Sequence, residues 1–140
     1  MYWGYHHIAN IAGCYPKSIR SATNIKKFCN ELVKNIRMVP YGAPQIVMFG
    51  EGNKKGYTLV QLIETSNICA HFVEETNDIY LDVFSCKEFD KTIVNQTVHK
   101  YFKPTNITDH YLIRQATSSF DISRLQIADD RTMVGAKILC

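Results

Sequence analysis

A chain of 140 residues has room for one ordinary buried core with a tail beside it. A 46% hydrophobic and 21% charged composition excludes the disordered class, and 16 Lys and Arg against 13 Asp and Glu, spread without a basic stripe, argue against nucleic acid as a partner. No apolar run approaches the ~18 to 20 residues of a membrane span and "MYWGYHHIAN" has no signal-peptide pattern, so a cytoplasmic protein without membrane contact is expected.

The first element, His6 to Ala12, alternates weakly and ends at Gly13, Cys14 and "YPK", a strand followed by a turn. A helix comes next. Ile19, Ile25, Phe28, Cys29, Leu32, Val33 and Ile36 recur at mostly three- and four-residue intervals, and Ser21, Thr23 and Asn24 offer N-cap side chains, which leaves a start near Lys17 or near Asn24 open. "VPYGAP" closes the helix, "QIVMFG" is a second strand, and "EGNKKG" is a hairpin loop leading into a strand from Tyr57 to Thr65. The polar reversals "ETSN" and "EETND" set off strands Ile68 to Val73 and Ile79 to Ser85, so three strands should lie antiparallel side by side. A second helix spans about Glu88 to Phe102, and a last strand runs from Ile107 to Arg114.

The order βαβββαβ predicts an α+β, two-layer sandwich: a mostly antiparallel sheet with two helices on one face. The domain is expected over residues 1–115. Residues 116–140, polar with weak periodicity, read as a C-terminal extension that wraps the domain or meets a partner.

Five widely spaced cysteines, Cys14, Cys29, Cys69, Cys86 and Cys140, contain no C-x-x-C pair and suggest neither a structural metal site nor a disulfide framework. Three other positions draw attention together. Ser66 lies in a polar reversal where serine commonly forms turns, and His71 lies in an apolar strand where a hydrogen-bonded histidine is ordinary. Cys86 ends "YLDVFSC" and by period-two parity shares a face with Tyr80, Asp82 and Phe84. Tight reversals would bring all three into one sheet region, where a hydroxyl, an imidazole and a thiol suit nucleophilic or acid-base chemistry. Neither a Ser-His-Asp order nor a G-x-S-x-G elbow accompanies them, so hydrolase chemistry is not indicated.

The stretch resembles the bacterial-type S-adenosylmethionine decarboxylase proenzymes, which carry approximately E-S-H-L-x-I-H-T-W-P-E followed by a D-x-F-x-C strand. "TSNICAHFVEE" and "DVFSC" overlay these motifs without gaps, "GYHHIANIAGC" is similar to the family's opening G-x-H-L-x-x-D-x-x-G-C, and Gly56 to Thr58 overlays its G-x-S. The likeness covers roughly Gly4 to Ala116. It implies a cofactor made from the chain itself: a serine hydroxyl attacks the preceding carbonyl, the ester eliminates, and a pyruvoyl group remains that can serve amino-acid decarboxylation as pyridoxal phosphate does.

By that resemblance Ser66 becomes the pyruvoyl group, Thr65 ends the N-terminal fragment, His71 and Thr58 assist processing, Cys86 is the proton donor in turnover and Glu75 meets the substrate ribose. It also implies a homodimer of processed protomers. Several positions depart from the pattern: Thr65 replaces a glutamate, Asn67 a histidine, Asn10 an aspartate, and Phe72, Val73 and Glu74 stand where T-W-P is usual. The expected activity is decarboxylation of S-adenosylmethionine to the aminopropyl donor of spermidine synthesis. The alternatives are a pyruvoyl decarboxylase of ornithine or arginine, or a non-processing homologue that binds or regulates a partner.

Overall fold

The computed structural model describes residues 2–117 and, as backbone, 126–127. Chain order gives β1 (Gly4–Ala12), α1 (Pro16–Ile19), α2 (Ala22–Asn35), β2 (Pro40–Phe49), a 3-10 turn (Gly52–Lys54), β3 (Gly56–Ile63), β4 (Ser66–Val73), β5 (Asp78–Ser85), α3 (Lys91–Phe102), β6 (Asn106–Arg114) and β7 (Gln126–Ile127). All neighbours pair antiparallel in the order β2-β3-β4-β5-β1-β6-β7. The α+β sandwich read from the sequence is the observed architecture.

Where the boundaries differ, local chemistry explains the shift. The first helical stretch splits in two because Ser21 caps α2, its Oγ accepting from the Asn24 N–H at 3.1 Å. Similarly α3 begins at Lys91, three residues later than about Glu88, because the Asp90 carboxylate caps it through the Thr92 N–H at 2.8 Å. Strand β2 starts already at Pro40, inside "VPYGAP". As an edge strand it tolerates Pro40 and Pro44, and a register shift between Tyr41 and Gln45 absorbs the irregularity. Of the 116–140 extension, the described pair Gln126–Ile127 registers with Leu112 and Ile113; residues 118–125 and 128–140 lie outside the described residues.

Period-two alternation places Leu59, Ile68, Ala70, Phe72, Ile79, Leu81, Val83, Ala9 and Ile11 on one sheet face, all buried. Against them pack Ile25, Phe28, Cys29, Leu32 and Val33 of α2 and Val94, Val98 and Phe102 of α3. Phe102 links the layers, its ring 4.8 Å from that of Phe28 and 5.4 Å from that of Phe72. The opposite face carries Thr58, Val60 and Leu62, Asn67, Cys69 and His71, and Tyr80, Asp82 and Phe84. No described helix covers it, and Leu62 and Tyr80 are exposed there.

Candidate active site

The β3–β4 hairpin reverses in two residues, Glu64 and Thr65, with Ile63 registered against Ser66. Two-residue hairpins ordinarily take up their twist at loop residues with positive φ. Here neither loop residue does so; Ser66 instead takes a φ of 152°. A residue with a Cβ held in that half of the map costs about 1–3 kcal/mol, and such positions cluster at functional sites.

What holds the turn is the end of β5. Ser66 registers against Ser85, and the next N–H, that of Cys86, donates to the Thr65 carbonyl at 2.9 Å. The carbonyl that receives this donor is the one preceding Ser66. On the side-chain level, the buried Ser85 hydroxyl donates to Thr65 Oγ1 at 2.8 Å, and Thr65 Oγ1 donates to the Met38 thioether at 3.3 Å. The Glu64 N–H donates to the Val39 carbonyl at 2.9 Å, tying the hairpin to the α2–β2 connection as well. Strand β5 stops at Ser85, so Cys86 lies one residue past the ladder, exposed, and the parity that grouped it with Tyr80, Asp82 and Phe84 no longer applies.

His71 is elsewhere. It stands five residues along β4 from Ser66, ~17 Å at the rise of an antiparallel strand. Its register partners are Thr58 and Tyr80, and its Nδ1 lies 3.2 Å from the Thr58 hydroxyl. Within one copy the structure therefore brings Ser66, Thr65 and Cys86 together at one end of the sheet, and His71 with Thr58 at the other. Glu75 lies beyond His71 in the β4–β5 turn, where its carboxylate accepts from Asn53 Nδ2 and pairs with Lys54 Nζ, each at 3.3 Å.

Burial separates the cysteines. The thiols of Cys14 and Cys29 are pushed up to about 12 by burial and stay protonated and inert. Burial, followed by the Asp82 charge, also raises that of Cys69. No described cysteine is in a disulfide, and no metal-holding cluster of His, Cys, Asp or Glu occurs among the described residues. Beside the Ser66 end of the sheet, Trp3, Phe84, Arg114, Gln115 and Ala116 line a cavity of about 550 Å³. Its walls are an aromatic pair with centroids 5.8 Å apart and the Arg114 guanidinium 4.4 Å over the Phe84 ring.

Sequence reasoning missed Ser85 and Met38. Ser85 was the unassigned position of "DVFSC", and its parity with Leu81 and Val83 was the available signal: it places a hydroxyl on the buried face, where it needs a partner.

The S-adenosylmethionine decarboxylase family model matches residues 5–115, nearly all of the described domain. The chain belongs to the S-adenosylmethionine decarboxylase family. A similar solved structure is the adenosylmethionine decarboxylase from Aquifex aeolicus, 20% identical, with a TM-score of 0.71 over 86% of this chain and 97% of that one. At that identity the likeness shows the fold. A search of curated proteins found no match. Family membership supports S-adenosylmethionine decarboxylase activity, and no described helix is long and apolar enough to cross a membrane.

Proposed function

We propose that the chain cuts itself between Thr65 and Ser66, retains a pyruvoyl group derived from Ser66, and uses it to decarboxylate S-adenosylmethionine for spermidine synthesis in the cytoplasm. The observation that carries this reading is the Cys86 N–H donating at 2.9 Å to the Thr65 carbonyl. A donor on that oxygen polarises the carbon that Ser66 Oγ must attack, and it is already aimed where negative charge develops as the bond forms. The positive φ of Ser66 supports the reading too, because cleavage releases backbone strain localised at the bond.

The residues around Ser66 fit the group that would replace it. Ser66 is half-buried, and the exposed Cys86 directly follows Ser85, the residue registered against it. Bound to a substrate amine, a ketone there supplies the sink for the electrons left by the departing carboxylate. The chain's own part is binding and proton supply. Cys86 Sγ, one residue past the strand registered against β4, is the proton donor to the substrate carbon, and the neighbouring cavity offers the exposed Trp3 ring as a stacking face for a purine.

The separation of Ser66 from His71 bears on assembly. For His71 and Thr58 to assist cleavage they must come from a second copy, and the uncovered sheet face bearing them is the surface such a copy would use. The reading is therefore a homodimer with each site built from both chains. In that arrangement Glu75, on the same end as His71, serves the partner's substrate at the ribose hydroxyls.

Denaturing mass spectrometry tests the central claim. Purified protein should resolve into two fragments divided between Thr65 and Ser66, the second with a borohydride-reducible N-terminus, and Ser66→Ala should remain one 16.1 kDa chain. A wild-type chain still intact after prolonged incubation would favour the non-processing homologue. Release of CO2 from carboxyl-labelled S-adenosylmethionine, compared with ornithine and arginine, then decides the substrate.

A further inference from the structure

We propose that Ser85 is a positioning residue for chain cleavage, holding Thr65 so that its carbonyl stays against the Cys86 N–H while Ser66 attacks. The inference rests on the self-processing reading and extends it to a residue that neither the motif nor the reaction assigns.

Ser85 is 0% exposed and follows Leu81 and Val83 along the buried face of β5. A hydroxyl in such a row is costly unless it is partnered. It accepts from the Lys87 N–H at 2.9 Å, donates to Thr65 Oγ1 at 2.8 Å, and lies 3.7 Å from Met38 Sδ. One hydroxyl proton serves one acceptor well, and the nearer oxygen takes it. The proton of Thr65 is then left for the Met38 sulfur at 3.3 Å, which orders the chain of donors as Ser85 to Thr65 to Met38.

That order has a mechanical consequence. Thr65 is β-branched, so fixing its Oγ1 holds χ1 in one rotamer and tethers the Cα beside the bond to be cut. Ser85 and Cys86 are adjacent, so one rigid strand end grips the acyl residue twice, at its side chain and at its carbonyl oxygen. In the attack, a bond forms between Ser66 Oγ and the Thr65 carbonyl carbon, and the oxygen that accepts from Cys86 takes the electron pair. Collapse breaks the Thr65–Ser66 C–N bond, the hydroxyl proton passes to the freed Ser66 amine, and an ester remains. No co-reactant is consumed. A misaimed carbonyl loses the benefit of the Cys86 donor, so Ser85 governs the rate of this step without touching the reacting atoms.

A cleavage time course by denaturing mass spectrometry on the wild-type chain, Ser85→Ala, Ser85→Thr, Thr65→Val and the Ser85→Ala/Thr65→Val double variant tests the role. Ser85→Ala should slow cleavage roughly tenfold, about one hydrogen bond's worth, with Ser85→Thr close to wild type. Thr65→Val should be slowed to a similar degree, and the double variant no further, because both changes break the same contact. Unfolding midpoints measured in an uncut Ser66→Ala background report the stability each variant loses with its hydrogen bond, and the ranking of cleavage rates should hold at a temperature where every variant is fully folded. Wild-type speed in Ser85→Ala, or slowing that multiplies in the double variant, would overturn the positioning role while leaving self-processing intact. A wild-type chain that never cuts removes the processing reading, and this role with it.

Discussion

The backbone N–H of Cys86 donates to the carbonyl of Thr65 at 2.9 Å, so two residues 21 positions apart in sequence meet at the one peptide bond the family resemblance singles out. The contact exists because β4 and β5 pair as far as Ser66 against Ser85, which leaves the next N–H free to reach the hairpin turn. Under the proposed self-processing the cysteine would serve twice, its backbone in cleavage and its thiol in turnover.

If His71 acts from a second copy, defective chains should complement each other. His71→Ala alone and Ser66→Ala alone should each stay uncut. Co-expressed, they should yield cleavage of the His71→Ala chain only, because that chain supplies Ser66 and its partner supplies His71. Differently tagged chains followed by mass spectrometry read this directly. An uncut pair despite confirmed mixed dimers would place the histidine's action within one chain, and cleavage of His71→Ala by itself would place it outside processing altogether.

Acid should destabilise the fold through its buried histidines. Burial lowers both His6 and His7 from 6.5, although Asp82 beside His6 and the Asn95 bond of His7 oppose it. A histidine held neutral in the fold binds its proton more readily once unfolded. The stability it contributes is therefore complete above the unfolded value of 6.5 and is lost as pH falls through the lower folded value. Urea midpoints should drop between about pH 7.5 and about pH 5, and His7→Gln should flatten part of that slope. A pH-independent midpoint in the wild-type chain would contradict the burial of both rings.

Thiol chemistry should follow exposure. Under native alkylation near pH 8, with peptide mapping, Cys86 should label first among the four described cysteines, and Cys14 and Cys29 should be protected until the protein unfolds. Cys69, half-buried, should fall between them. Equal labelling of Cys29 and Cys86 would be incompatible with this core.

Gly56 should not tolerate a side chain. A Cβ there would overlap the Phe72 carbonyl oxygen on the adjoining strand β4, a backbone atom that cannot step aside. Gly56→Ala should cost about 3 kcal/mol in urea unfolding, toward the upper end of single substitutions. At Gly42 no atom lies within 4 Å and only the φ of +72° is unfavourable, so Gly42→Ala should cost nearer about 1 kcal/mol. Equal effects at the two glycines would refute the close β3–β4 approach.

Much of the framework was legible in the residues themselves. Apolar alternation in "LVQLI", "ICAHFV" and "IYLDVF" is a short-range property, and so is the three-to-four spacing of Ile25, Phe28, Cys29, Leu32 and Val33; each determines which face is buried whatever its neighbours do. The reactive types Ser66, His71 and Cys86 were equally visible, and their motif spacing pointed to the family. Register was not visible, since it depends on which strand ends meet, and a difference of five residues along one strand amounts to ~17 Å. Only the tertiary structure decided that Cys86 joins the Thr65–Ser66 bond while His71 joins Thr58, because a strand's length separates side chains that a linear motif writes almost side by side.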